Sequence, residues 1–265
     1  MRVARLVLSF VPIFGFSPRL NSQQSVVTTQ RDPQALVLLT KSLNVTGGVA
    51  YIAAIHDFTA TGTITYNWAG EAVPGSLTVY GKGLNEFRMD ANVSSGTQSF
   101  ILNGAEGALF PLNGPKTKLP FYSVMTAGSL TFPAARIANV LSDSTISVSY
   151  LGMHTWNGSQ VCLVHVAPLL DPTFNLAAPL SGLGEFDLYI DPTSYQPLGL
   201  SDKIWSNTDM TQPYLHEIVF SNYTATNGLS IPFTITERVS GQQTWSITLT
   251  SARFNSGLPD SLFEF

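Results

Sequence analysis

The chain has 265 residues and a net charge of −4, from 13 Lys and Arg against 17 Asp and Glu. It lacks the basic excess of a nucleic-acid binder, and its single cysteine excludes an internal disulfide. Only 11% of residues are charged, against roughly 25% in an average soluble protein, so polarity rests on Ser, Thr, Asn and Gln. That suits strand surfaces outside the cytoplasm.

Arg2 and Arg5 precede an apolar run from Leu6 to Phe16. The run is too short to span a bilayer and has the length of a signal-peptide core. Residues 1–22 therefore read as a signal peptide, with Ser17 and Ser22 as candidate cleavage points, and the protein is expected to be periplasmic or secreted. Residues 23–31 read as a disordered polar leader, and 32–265 as one domain. No cysteine stands near this segment to accept a lipid anchor.

Asp32-Pro33 reads as an N-cap followed by proline at the first helical position. Leu36, Leu39 and Leu43 share one helical face, and Gly47-Gly48 ends the helix; residues 49–55 add a short second one. Residues 57–68 alternate: Phe58, Ala60, Gly62, Ile64, Tyr66 and Trp68 on one face, Asp and Thr with Asn67 on the other. This period of two is the signature of a strand with one apolar face. Strands follow at 76–80, 86–93, 97–102 and 107–112, with Asn103-Gly104 and Asn113-Gly114 as hairpin turns. Short turns between sequential strands make an antiparallel meander.

Residues 115–131 read as an irregular apolar loop. Phe132-Pro133 opens a helix to Leu141, with Ile137 and Leu141 on one face. It is either a second core helix or a lid over a cavity. A hairpin at 144–167 turns at Asn157-Gly158. Another irregular segment, 168–184, carries Leu169, Phe174 and Leu180. Strands at 186–190 and 198–205 lead to a closing meander. There Leu229, Ile231, Phe233 and Ile235 alternate with polar residues and Pro232, and Trp245, Ile247 and Leu249 with Ser and Thr. A helical turn at 258–263 ends the chain.

Catalytic and metal motifs do not emerge. His56, His154, His165 and His216 lack metal spacing, and each reads as a lone strand or surface histidine. There is no Gly-x-Ser-x-Gly elbow and no phosphate loop. Cys162 lies in an apolar run and reads as a buried small hydrophobe. No enzyme activity, cofactor or metal is expected.

The run Phe220-Ser221-Asn222-Tyr223, then Asn227-Gly228-Leu229, Ile231-Pro232-Phe233 and Ile235, resembles the last hairpins of the LolA-like proteins, the outer-membrane lipoprotein carrier and its sorting-protein relatives. Phe254-Asn255 to Asp260-Ser261-Leu262-Phe263 is similar to their ending, and Tyr189-Ile190-Asp191-Pro192 with Pro197-Leu198 to the strand-turn-strand before it. The resemblance implies a curved antiparallel half-barrel, mainly β, with an N-terminal and a mid-chain helix covering its concave face. It implies a carrier or binder of acyl chains rather than a catalyst. Composition leaves a closed barrel and a sandwich open.

With about eleven strands and two or three helices, the helices cover the apolar face incompletely. The expected cavity walls are Phe58, Ile64, Tyr66, Trp68, Phe87, Met89, Phe233, Ile235, Trp245 and Ile247, closed by Ile137 and Leu141 from the mid-chain helix. The expected ligand is a lipid, an acyl chain or a lipoprotein, exchanged with membrane-associated loading and receiving proteins by a monomer. The competing class is a protein-interaction module with a solid core, binding through a strand edge. The first strand has no Arg or Lys to match the early-strand Arg that helps hold the lid shut in the carriers. That favours a lipid-binding relative over a strict lipoprotein shuttle.

Overall fold

The structure, a computed structural model, describes residues 29–127, 132–168, 180 and 182–265. The expected signal peptide, the leader to residue 28 and most of segment 168–184 lie outside the described residues. The strands form two meanders. The first holds β1 (Asp57–Trp68), β2 (Glu71–Lys82), β3 (Glu86–Val93), β4 (Gly96–Asn103), β5 (Glu106–Phe110) and β6 (Thr117–Lys118). The second holds β7 (Ile146–Trp156), β8 (Ser159–Pro168), β9 (Phe186–Ile190), β10 (Pro197–Ser206), β11 (Asp209–Thr226), β12 (Leu229–Val239) and β13 (Gln242–Phe254). Helices α1 (Pro33–Thr46) and α2 (Val49–Ala53) come first, and α3 (Phe121–Thr126) and α4 (Pro133–Ser142) lie between the meanders.

The first and last strands join the halves. β1 pairs with β13, giving one antiparallel sheet in the order β6-β5-β4-β3-β2-β1-β13-β12-β11-β10-β9-β8-β7. β6 and β7 are its two ends and do not pair with each other, so the sheet is an open half-barrel. Its curvature follows from what meets across it. α3 touches both β5 and β10, and Tyr122 Oη donates to the Ser206 carbonyl at 3.0 Å. Strands eight positions apart in the sheet reach one short helix only when the sheet wraps round it.

The turns explain where strands begin. Ala69 and Gly70 both adopt positive φ (51° and 87°), the pair a tight right-twisted hairpin demands. β2 thus starts at Glu71 and includes Pro74, ahead of the expected start at 76. Proline is tolerated there because β3 pairs only from Gly75 onward, so no partner needs the missing N–H. Pro213 on β11 is placed the same way, since β12 joins only from His216.

A main core fills the concavity, with a smaller cluster of Tyr122, Leu180, Leu183 and Trp205 beside it. Along β1 the inward residues Phe58, Ala60, Ile64 and Tyr66 are buried, as are Phe87, Met89, Ala91 and Val93 on β3. Each large side chain fully buried there stabilises by roughly 1.5–3 kcal/mol. The outer face is polar, and Thr61 Oγ1 and Ser251 Oγ lie 2.8 Å apart across β1 and β13. α1 begins as expected: Asp32 Oδ1 accepts the Gln34 N–H at 2.8 Å, and its Oδ2 accepts the Tyr150 N–H at 3.2 Å, tying the helix start to β7. Both acceptor bonds hold the Asp32 carboxyl below its usual pKa.

Three expectations are corrected. Among the described residues the sheet has thirteen strands rather than about eleven. The stretch read as loop, 115–131, contains β6 and α3; six helical residues without a side-chain cap leave no periodic trace in sequence. The end of the polar leader is ordered: Arg31 bridges to Val148, and the Val148 N–H donates to the Gln30 carbonyl at 2.8 Å.

Candidate ligand cavity

An apolar space lies under α2 and α4 at one end of β1. It encloses about 320 Å³. Ile52 and Ile55, Phe58, Phe132, Ala134 and Ala138, Leu229 and Ile231 form most of its wall. Small alanines on α4 leave the space that larger residues would fill. Gly81 does the same from β2: a Cβ there would lie 2.2 Å from Phe58 Cε1, so the ring rests on bare backbone. The exposed side chains of Val49 and Leu84 edge the cavity, and His56, Asp57, Asn139 and Ser142 are its polar members.

The end of the chain braces this wall. Asp57 is buried and accepts the N–H groups of Ser256 (2.7 Å) and Gly257 (2.9 Å). The Asn255 side chain accepts from the His56 N–H and donates to the Ala54 carbonyl, both at 2.8 Å. The closing 3-10 turn (Asp260–Phe263) buries Phe263, and Arg88 Nη1 donates to the Leu262 carbonyl.

Of the residues expected to line a cavity, Phe58 borders the 320 Å³ space. Phe58, Phe87, Met89, Ile235, Trp245 and Ile247 surround a gap of about 20 Å³ behind it. Ile64 and Tyr66 are buried in the core, and Tyr66 stacks on Trp68, which is 37% exposed at the strand end. Ile137 is buried beneath α4, while Leu141 and Phe233 are partly buried against the core. The expected cavity wall lacks the residues of α2, the alanines of α4, and Leu229 and Ile231, although the last two share the expected apolar strand face with Phe233 and Ile235. Small residues spaced three or four apart on a helix were the available signal.

Arg31 holds α4 down. Its guanidinium donates to the carbonyls of Val140 (3.0 Å), Leu141 (3.4 Å), Asp143 (2.6 Å) and Ile146 (2.9 Å). A cation capping the last carbonyls of a helix satisfies orphan acceptors and complements the macrodipole. Arg136, on α4 itself, is different. Its guanidinium lies over the Phe186 ring at 4.2 Å, and its buried Nη1 has no hydrogen-bond partner among the described residues. Burial, opposed by the charge of Asp202, pulls its pKa below the ordinary value, and it remains a cation at neutral pH.

His216 is no lone surface histidine. It is buried, its Nδ1 donating to Asp202 Oδ1 at 2.6 Å and its Nε2 to Glu237 Oε1 at 3.1 Å. Thr244 Oγ1 donates to the other oxygen of Glu237. Burial alone would lower the imidazole pKa, but hydrogen bonds and charge from both carboxylates outweigh it and raise it to about 9. The imidazolium thus clamps β10, β11 and β12. His165 is a milder case, raised mainly by its hydrogen bond to Asp187.

An open, curved antiparallel sheet with helices in its concavity defines a half-barrel, with an apolar space left under two of the helices. The fold is LolA-like, in a divergent form. It matches a putative outer membrane lipoprotein-sorting protein domain from Vibrio parahaemolyticus (14% identity, TM-score 0.52, covering 87% of this chain and 96% of that one). It also matches a LolA superfamily protein from Nitrosomonas europaea (13%, TM-score 0.53, 87% and 97%). A DUF1329 family protein from Desulfovibrio piger is similarly close (10%, TM-score 0.53, 89% and 98%). No protein-family model and no curated protein matches the chain. Among the described residues, no helix is long and apolar enough to cross a membrane.

Proposed function

We propose that this protein is a non-catalytic lipid-binding carrier that works in the periplasm or outside the cell. It holds the acyl chain of a lipid or lipidated protein in the cavity beneath α2 and α4. The observation that carries this reading is the cavity itself: about 320 Å³, walled mostly by aliphatic and aromatic side chains. Small-molecule sites enclose roughly 300–1,000 Å³. Burying a CH₂ gains about 0.8 kcal/mol, so a chain of about a dozen carbons gains roughly 10 kcal/mol in gross terms. Association costs about 4 kcal/mol or more, which leaves useful affinity without any polar constellation. The lipoprotein-sorting name of one similar structure lends support. The protein acts as a monomer and exchanges its cargo with membrane-associated proteins.

Titration of the purified protein with a fluorescent fatty acid tests the reading, together with lipid extraction and mass spectrometry of the protein as isolated. Saturable binding or a co-purified lipid is expected; the absence of both would leave the cavity without a role. Export is tested separately by N-terminal sequencing of protein from its native host. A start near residue 23 is expected, and an intact Met1 in the cytoplasm contradicts it.

A second reading rests on an observation of its own. β7 ends the sheet; residues 30–32 cover its edge at Val148, and beyond them Leu151 and Met153 are each 49% exposed. An edge strand with apolar side chains can add a strand from another protein. Under that reading the cavity would bind no chain, so the same titration separates the two.

A further inference from the structure

A second cavity adjoins the first. It encloses about 390 Å³ on the other flank of α4, and Leu84 and Asn139 line both spaces. The two differ in chemistry. The first has alanines from α4 in its wall; the second has Arg136, Asn85 and Asn139, with Phe186 beside them.

Arg136 is the feature that the fold leaves unexplained. One face of its guanidinium is covered by Phe186, yet its buried Nη1 has no acceptor among the described residues. Among the described residues no carboxylate lies within ion-pair distance of it, although Asp202 is near enough to act through its charge. Asp202 is already taken by His216. Arg31, by contrast, satisfies its guanidinium on four carbonyls. A buried charged donor without a partner is costly, and a residue of that kind facing a cavity is complementary to an anion brought by a ligand. Guanidinium suits carboxylate and phosphate oxygens because its N–H groups are coplanar and can be accepted in pairs.

We propose that Arg136 receives the anionic head of an amphiphile, a carboxylate or a phosphate monoester, while the chain passes Leu84 and Asn139 into the apolar cavity. This rests on the reading of that cavity as an acyl-chain site. Asn85 and Asn139 offer amide N–H groups for the remaining head-group oxygens. The arrangement selects a single-headed, singly anchored ligand: the head is fixed on one side of α4 and the chain on the other.

The test compares three ligands of equal chain length, dodecanoate, dodecyl phosphate and 1-dodecanol, by displacement of a fluorescent fatty-acid probe. At least one anion is expected to bind the wild-type protein tenfold or more tighter than the alcohol, and the tighter anion identifies the head group. Arg136→Gln should bring the anion-to-alcohol ratio close to one, while Arg136→Lys should keep part of the preference. Equal affinity for all three ligands overturns the head-group site and leaves the chain cavity standing. Failure of all three to bind, dodecanol included, removes the chain cavity as well. If Arg136→Gln does not fold, the wild-type ratio of anion to alcohol still decides.

Discussion

Phe58 and Phe132 meet with ring centroids 4.6 Å apart at an angle of 52°. Both rings border the 320 Å³ cavity and the narrow gap behind it, so the pair forms the partition between an open space and a filled core. One ring belongs to a central strand and the other to the start of α4. The depth of the cavity is therefore set by where α4 sits on the sheet.

Removing the partition should lengthen the chain that fits. Phe132→Ala joins the cavity to the gap lined by Phe87, Met89 and Trp245. In wild-type protein, affinity for straight-chain fatty acids should rise with length and level off. The variant should level off two or more carbons later, at a stability cost of about 1–3 kcal/mol for a partly buried ring. An unchanged plateau would mean that the rings do not bound the site.

The seat of α4 depends on Arg31. Arg31→Ala strips the carbonyls of Val140 and Leu141 in α4, of its cap Asp143 and of Ile146 at the start of β7 of their donor. Charge-assisted bonds of this kind are worth roughly 1–3 kcal/mol, so a loss of that order in urea unfolding is expected. Hydrogen exchange should quicken along residues 133–146 and stay as it was in β1 and β13. Uniform exchange across the whole protein would contradict a local anchoring role.

His216 should make stability depend on pH. Its pKa is raised in the folded state, from an ordinary 6.5 to about 9. Its contribution is therefore full below about pH 6.5 and fades as pH climbs through 9, an effect on the order of 3 kcal/mol. His216→Gln should flatten that decline. It should also cost about 3–5 kcal/mol at neutral pH, because buried Asp202 and partly buried Glu237 are left without their cation. Denaturant midpoints at pH 6, 7.5 and 9 check both effects. Parallel curves for the two proteins would show that the cluster does not hold the charge described.

Much of this was legible from sequence where the signal is local. Strand β1 runs over the expected residues 57–68, because Phe58, Ile64 and Tyr66 alternate with Thr without interruption. Asp32-Pro33 and Gly47 bound α1, and Asn157-Gly158 and Asn227-Gly228 turn their hairpins at positive φ. What sequence did not reveal is nonlocal. The carboxylates of His216 come from β10 and β12, 14 residues before it and 21 after it. Arg31 bonds carbonyls more than 100 residues away. The cavity wall draws on α2, α4 and the ends of β1, β12 and β13, which only the β1–β13 pairing brings together. A residue such as Ala138 has no signature of its own; its meaning is the volume it leaves empty.

That volume gives the most direct test. Ala138 lines the apolar cavity from α4, and Ala138→Trp would fill the space without touching Arg31, Arg136 or His216. The measurement is the dissociation constant for a fluorescent fatty acid, in wild type and in a variant whose thermal midpoint is matched to it. The account predicts saturable binding to the wild-type protein and at least a tenfold loss in the variant. Equal binding by both proteins would contradict it, because the chain would then lie somewhere other than the cavity beneath α2 and α4.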